Sequence, residues 1–135
     1  MIVDTSALLA YFDASEPAHK AVSAAIESSD ELLVVSPYVL AELDYLVLSR
    51  HGIQAQQAVL AELGAGAWEL ATMERERLVQ ATRVVKRYAD VPIGLTDASC
   101  VVLAQAYRTR TIVSLDRRHF GILRFDDGSP IHLVP

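Results

Sequence analysis

Two short stretches of the chain decide the fold: MIVD at residues 1–4 and TIVSLD at residues 111–116. Each contains a short apolar run rich in β-branched residues, which is typical of a buried strand, and an aspartate follows that run. In an open parallel sheet, the carboxyl ends of the strands face a shared crevice in which ligands bind. If the two strands are neighbours, we expect Asp4 and Asp116 to take equivalent positions at the same edge of the sheet.

Strand-like and helix-like segments alternate along the rest of the chain. Strands are predicted over residues 2–4, 31–35, 68–71, 111–115 and 131–134. Helices are predicted over residues 5–12, 17–27, 37–51, 53–63, 73–89 and 97–107, with Ser36 and Thr96 as N-terminal caps of two of them. This alternation predicts an α/β protein, one domain over residues 1–135, with a central parallel sheet of about five strands flanked by helices.

Composition and charge narrow the class of protein. The chain has 135 residues, of which 52% are hydrophobic, so it is long enough to bury a core. Its net charge of −5 argues against simple nonspecific binding to nucleic acid, although a bound divalent cation would cancel part of an acidic cluster. Arginines are concentrated in the last third of the chain, where they form either a phosphate-facing edge or a solvated surface: Arg108, Arg110, Arg117, Arg118 and Arg124.

The cysteine content and the hydropathy of the chain indicate in which cellular compartment the protein is expected. The single cysteine, Cys100, excludes an internal disulfide, fits a reducing compartment and is expected in the core. The N-terminus lacks the basic and apolar regions of a signal peptide, and no apolar run approaches the roughly 18 residues that span a bilayer. These features predict a cytoplasmic protein with no membrane partner.

Two further acids occupy helix positions from which they can reach the same sheet edge. Glu42 lies in VLAELDYLVL (residues 39–48), an almost wholly apolar helix with no Lys or Arg one turn away to form a salt bridge. Burying an unpaired carboxylate costs several kcal/mol, so we expect Glu42 to have a partner other than a Lys or Arg of its own helix. Asp97 lies in the first turn of a predicted helix. Because the helix over 37–51 is apolar almost all round, either the core or a partner chain must cover it.

Each acid has an ordinary structural explanation, but the set of four points to a metal. Asp4 suits a helix cap, Asp116 a turn after a strand, and Asp97 a helix start. Carboxylates that gather without matching cations require divalent metal or raised pKa values. Oxygen ligands without Cys or His favour Mg²⁺ or Mn²⁺, which activate water and stabilise the leaving oxygen in phosphodiester cleavage.

The chain resembles the PIN-domain nucleases, and more closely the VapC-type toxins of bacterial type II toxin–antitoxin pairs. The matching stretches occur in the family's order and the overall resemblance covers essentially the full length. They are MIVDTSALLAYFD (1–13), VVSPYVLAELDYLV (34–47), IGLTDASCVVLA (93–104) and TIVSLDRRHF (111–120). The resemblance implies a PIN-like α/β/α sandwich and a Mg²⁺-dependent endoribonuclease that hydrolyses RNA phosphodiester bonds. It also implies a homodimer, neutralised by a cognate VapB-type antitoxin and reaching operator DNA only through that antitoxin.

The resemblance also assigns residues. It implies that Asp4, Glu42, Asp97 and Asp116 form the catalytic and metal-binding site, with Asp4 and Asp97 as the principal ligands. Thr5 and Ser6 are candidates for contacts to an acid or to the scissile phosphate, or serve as a plain helix cap. Arg117 and Arg118 either hold RNA phosphates or are exposed loop charges. His119 is a further candidate, as a general acid.

Three other readings compete with the ribonuclease. An aspartate-nucleophile phosphatase carries a second Asp two residues after the first, and here that position is Ser6. A DNA-directed flap-type nuclease carries insertions for which 135 residues leave little room. A noncatalytic PIN-like protein that binds only antitoxin and operator DNA remains an alternative, although the presence of all four acids argues against it.

Overall fold

The computed structural model of the protein describes all 135 residues. Five strands form, β1 Ile2–Val3, β2 Val34–Val35, β3 Glu69–Leu70, β4 Thr111–Val113 and β5 His132–Val134. Seven helices accompany them, α1 Thr5–Phe12, α2 His19–Glu27, α3 Pro37–His51, α4 Ile53–Gly64, α5 Arg75–Arg87, α6 Leu95–Ala106 and α7 Arg117–Phe120. None of these helices combines the length and the hydropathy needed to cross a membrane.

The five strands form one sheet in the order β3-β2-β1-β4-β5, and all neighbours are parallel. The α/β prediction with a five-stranded parallel sheet is therefore confirmed. Strand β1 occupies the centre, between β2 and β4, and neither of its two residues is exposed to solvent. The residues that follow β1 and β4 consequently emerge side by side at the carboxyl edge of the sheet.

The register of the sheet corrects one prediction. Ile2 pairs with Ile112 and Val3 with Val113, so the residue opposite Asp4 is Ser114. Asp116 lies two residues further along, in the turn that enters α7, and caps that helix. The equivalent placement of Asp4 and Asp116 is therefore wrong: strand β4 ends at Val113, two residues before the predicted end at Leu115, and a turn carries Asp116 to the crevice.

Helix α6 contributes an uninterrupted buried run, residues 98–104, to the core, and that run includes Cys100 as predicted. Helix α3 differs, because it buries only one stripe of residues spaced four apart: Val39, Leu43 and Val47. The chain's own core therefore does not surround α3, and large apolar side chains of this helix, Tyr45 and Leu48, are exposed.

The helix starts agree with the sequence at one site and differ at another. Ser36 accepts a hydrogen bond from the Tyr38 backbone N–H at 3.2 Å and caps α3 as predicted. Helix α6 begins at Leu95 with Gly94 as its cap, so the prediction of Thr96 as cap is wrong. The reason is that the Asp97 carboxylate folds back and accepts the Gly94 N–H at 3.1 Å, which starts the helix two residues earlier.

A single glycine joins α3 to α4, and its conformation generates a prediction. Gly52 has φ 84° and ψ −179°, a region that is essentially restricted to glycine, and no atom would touch an added Cβ. Gly52→Ala should therefore lower the free energy of unfolding by about 1–3 kcal/mol, entirely through backbone strain. Gly64→Ala, at an equally open position without a positive φ, should be neutral or stabilise by up to about 1 kcal/mol. Urea unfolding of both variants measures these changes in the free energy of unfolding. Equal changes in the two variants would contradict the role given to the positive φ of Gly52.

Candidate active site

The four predicted acids meet in one surface cavity. Asp4, Glu42, Asp97 and Asp116 line a space of about 210 Å³, together with Thr5, Ser6, Leu9 and Leu46. The acids come from four places remote in the sequence: the end of β1, the middle of α3, the first turn of α6 and the turn after β4. The cavity therefore lies at the carboxyl edge of the central strands, where open α/β sheets bind ligands.

Asp4 is the most rigidly held of the acids. It is 5% exposed, and its Oδ2 atom accepts three hydrogen bonds, from the Ser6 N–H (3.3 Å), the Ser6 hydroxyl (2.8 Å) and the Ser114 hydroxyl (2.8 Å). The hydrogen bond from the Ser6 N–H caps α1, so Asp4 does have the helix-capping role that its position in the sequence suggested. Because these bonds all end on Oδ2, the other carboxylate oxygen is left for a ligand in the cavity.

Ser114 is a site residue that sequence reasoning missed. It is fully buried, donates to Asp4, lies 3.2 Å from the Ser6 hydroxyl and accepts the Asp116 N–H at 3.0 Å. The signal was present in TIVSLD, where a lone hydroxyl interrupts the strand-like run just before the acid. Ser114 thus ties the turn that carries Asp116 to the carboxylate of Asp4.

Glu42 reaches the cavity in a different way from the one its sequence context suggested. The expectation of a buried carboxylate is wrong, because Glu42 is exposed on the flank of the buried stripe of α3. Its Oε2 accepts a hydrogen bond of 2.6 Å from the Thr5 hydroxyl, which directs the carboxylate toward α1. Water solvates the remainder of the group, so no large desolvation cost arises.

Asp97 shows the electrostatic character of the site. Its pKa is raised above the usual value because it is partly desolvated and because the Asp4 and Asp116 charges repel it. The hydrogen bond from the Gly94 N–H and the nearby His119 lower the pKa of Asp97 and partly oppose this rise. A carboxyl whose pKa rises in this way has a strong electrostatic reason to accept a cation.

Asp116 and His119 form a pair at the edge of the cavity. Asp116 Oδ1 accepts the His119 backbone N–H at 3.0 Å, and His119 Nδ1 lies 2.9 Å from Asp116 Oδ2 and 3.5 Å from Asp97 Oδ2. The imidazole is one-quarter exposed and contacts two acids at once. It therefore reaches the acid cluster from the solvent side.

Three other residues considered from the sequence lie outside the cavity lining. Arg117 is exposed and donates to the Pro135 carbonyl oxygen, and Arg118 is exposed beside it. Cys100 is fully buried, and its pKa is raised well above the usual value by burial and by the Asp4 and Asp97 charges. That thiol is held protonated and away from solvent, which is the opposite of what a nucleophile needs.

The donor set fits a hard divalent cation without forming a closed cage. No group of three or more Asp, Glu, His or Cys side chains is already arranged around one point to hold a metal ion. Carboxylate oxygens nevertheless dominate the cavity, and one of them, on Asp97, has a raised pKa that a cation would lower.

Removing the Asp97 charge should stabilise the metal-free protein. The pKa of Asp97 in the folded protein lies above its ordinary value of 3.8, so folding favours the protonated carboxyl. The contribution of Asp97 to the stability of the folded protein is therefore fully present below pH 3.8. It is lost as the pH rises through the folded-state pKa. Asp97→Asn keeps an acceptor for the Gly94 N–H, and should unfold a few degrees higher than wild type at pH 7 in EDTA but at a similar temperature near pH 4.

Scanning calorimetry at both pH values tests this, with Asp90→Asn in the exposed loop before α6 as the matched control. Added Mg²⁺ should then stabilise wild type more than Asp97→Asn. A lower melting temperature of Asp97→Asn at pH 7 without metal would show that the carboxylate is mainly a structural cap.

Comparisons with known proteins identify the family of the chain. The sequence model of the family described as PIN domain matches residues 1–125. Ribonuclease VapC26 of Mycobacterium tuberculosis is 59% identical over 135 residues, which are 100% of both chains. The crystal structure of VapC20 from the same species, a sarcin–ricin loop cleaving toxin, matches with a TM-score of 0.80 at 20% identity, over 87% of this chain and 90% of that one. VapBC2 from Rickettsia felis, bound to a DNA fragment from its promoter, matches with a TM-score of 0.67 at 16% identity, over 89% and 90% of the two chains. The chain therefore belongs to the PIN domain family and, within it, to the VapC proteins.

Proposed function

We propose that this protein is a divalent-metal-dependent endoribonuclease, the toxin of a type II toxin–antitoxin pair. The observation that carries the proposal is the convergence of four remote acids on one cavity at the carboxyl edge of the sheet. Full-length identity of 59% to a protein named as a ribonuclease supports RNA as the substrate. One continuous core of 31 buried residues supports a single nuclease domain over residues 1–135.

The four acids are proposed to have different roles in metal binding and in positioning the attacking water. Asp4 and Asp97 are the principal metal ligands, because both are held at the cavity by hydrogen bonds that use only one of their carboxylate oxygens. Glu42, exposed and steered by Thr5, binds metal or orients the attacking water, and Asp116 completes the set. A bound Mg²⁺, or Mn²⁺ in its place, would activate water and stabilise the leaving oxygen.

Substrate contacts fall on residues at the rim. The Thr5 and Ser6 hydroxyls already donate to Glu42 and Asp4, so we assign them first to positioning those acids and second to the scissile phosphate. Arg117 and Arg118 are exposed next to Asp116 and are proposed to hold RNA phosphates. His119, in contact with Asp116 and Asp97, is the candidate for donating a proton to the leaving oxygen.

Partners follow from the family. A VapB-type antitoxin is proposed to neutralise the nuclease and to provide the only route to operator DNA, and the solved complex from Rickettsia felis supports that arrangement. We propose that the protein acts on RNA in the cytoplasm. A second copy of the chain is proposed to cover α3 and α4, whose large apolar side chains are exposed: Tyr45 69%, Leu48 43%, Ile53 61% and Leu60 40%.

Substitution of the central ligand tests the enzyme. Mutation of residues that only support the metal ligands typically costs roughly 10- to 100-fold in activity. Because Asp4 is proposed to be a ligand itself, Asp4→Asn should reduce RNA cleavage by more than that. Calorimetry should also find weaker Mg²⁺ binding. Asn keeps an acceptor for Ser6 and Ser114, so the fold should survive. Asp44→Asn, on the same helix as Glu42 but hydrogen-bonded to Gln56 outside the cavity, is the matched control and should cleave normally.

Sequencing of RNA ends after brief expression of each variant gives both the activity and the substrate. Glu42→Gln should resemble Asp4→Asn rather than the control. Wild-type protein that binds antitoxin but cuts no RNA in the presence of Mg²⁺ or Mn²⁺ would instead support the noncatalytic alternative.

The oligomeric state tests the partner assigned to α3 and α4. Wild type should scatter light as a dimer at micromolar concentration, because burying these apolar side chains removes surface from water. Tyr45→Glu with Ile53→Glu should yield a folded monomer, whereas Val79→Glu, at a 47% exposed position on α5, should remain dimeric. A wild-type monomer would remove the proposed contact.

A further inference from the structure

The charges of the chain are strongly segregated. Residues 1–74 contain 11 of the 17 acidic residues but only two of the 12 Lys and Arg residues, Lys20 and Arg50. Residues 75–135 therefore contain ten cations and six acids, so a protein of net charge −5 has a positively charged second half. Such an uneven distribution directs a polyanion to one side of the molecule.

Four of these ten cations lie on one surface, which shares no lining residue with the acid cavity. Two adjoining cavities, of about 410 and 250 Å³, share Gln105 and Asp126 as lining residues. We call the polar lining of the two cavities the basic surface, after its four arginines. It comprises Gln80, Arg83, Arg87, Gln105, Arg108, Thr109, Arg110, Asp126 and Asp127. It is built from α5, the end of α6 and the segment that leads into β4.

The acids within the basic surface leave two arginines uncompensated. Asp126 accepts from Arg87 and from Gln105, each at 3.1 Å, and Asp127 accepts from Arg110 at 2.8 Å. Arg83 and Arg108 take part in none of the salt bridges of the protein and are exposed. The four arginines and two aspartates together carry an excess positive charge that faces solvent.

Arg108 occupies a backbone position that suits other residues better. Its φ is 55°, a left-handed conformation that asparagine or glycine adopts at lower cost. Nearby, Arg110 lies 5.9 Å above the ring of Phe125 and is thereby oriented. The surface therefore presents guanidinium groups, whose planar donors match phosphate oxygens, at defined positions.

The acid cavity creates the need for such a surface. Four carboxylates repel an approaching phosphate chain, and one bound divalent cation would cancel only part of that charge, so cations elsewhere on the protein would add to the affinity for RNA. Helix α6 connects the two places: Asp97 lies in its first turn and Gln105 near its end, eight residues or about 12 Å apart along the axis. A strand of RNA several nucleotides longer than the cleaved step can therefore contact both.

We propose that the basic surface is a second RNA-binding site, which holds backbone phosphates at a distance from the bond that is cut. This proposal rests on the proposed ribonuclease function. The surface contributes affinity for long RNA and does not take part in the chemical step.

Binding and cleavage of RNA by paired variants test the proposal. Arg83→Gln with Arg108→Gln removes two charges from the basic surface, and Lys20→Gln with Arg50→Gln removes two charges from the acidic half. In an Asp4→Asn background, fluorescence anisotropy with a long single-stranded RNA should show weaker binding only for the first pair. Its slope of log K against log salt should be smaller by about 1.4, at roughly 0.7 per lost phosphate contact on single-stranded RNA. With Asp4 restored, that pair should raise KM for ribosomal RNA and leave kcat unchanged.

Several outcomes would overturn the proposal. They are unchanged binding by the Arg83 and Arg108 pair, equal losses in both pairs, or a lower kcat at unchanged KM. A change in the mass of the Arg83 and Arg108 pair by light scattering would instead make this surface a contact between copies of the chain, which also overturns it. A wild-type protein that cuts no RNA contradicts the proposed function, whereas the binding measurements stand independently of cleavage.

Discussion

The repulsion between carboxylates gathered in one small cavity is the constraint on which the rest of this structure depends. Two unit charges 4 Å apart repel by about 4 kcal/mol at an effective dielectric constant of 20, and here four acids line about 210 Å³. Burial, and after it repulsion from Asp4 and Asp116, raises the pKa of Asp97, so part of that cost is visible in the folded protein. Stable packing elsewhere must offset it, and a bound divalent cation would remove much of it.

The fold offsets the repulsion with hydrogen bonds that serve packing and site together. Asp4 caps α1 and is held by the Ser6 and Ser114 hydroxyls, and Asp97 stabilises the start of α6 through Gly94. Each of these acids would be an ordinary capping residue in another protein. Because capping uses one carboxylate oxygen, the second oxygen remains free, and one side chain can both stabilise a helix and bind a ligand.

The same charges shape how a substrate approaches. A cavity of acids repels RNA, and the chain carries its excess of cations on residues 75–135, partly around the end of α6. Separating attraction from chemistry in this way lets the cavity keep the oxygen donors that a hard cation prefers. Under the proposal that the basic surface binds RNA, affinity for RNA and rate of cleavage depend on different residues, and mutation would change them separately.

Much of this architecture was predictable from the sequence because it depends on local patterns. The apolar runs of MIVD and TIVSLD predicted two buried strands of a parallel sheet, Ser36 and Pro37 predicted the start of α3, and the four acids predicted one site. Propensity, capping and strand burial act over a few residues, so a single chain reveals them.

Tertiary structure alone decided how those parts are aligned. The pairing of Val3 with Val113 places Ser114, rather than Asp116, opposite Asp4, and leaves Asp116 to a turn. Glu42 is exposed because only one stripe of α3 faces the core, although the apolar sequence around it indicated burial. Strand register, helix rotation and the meeting of Gln80 and Arg83 with Gln105 arise from contacts between residues far apart in the chain, and no local pattern encodes such contacts.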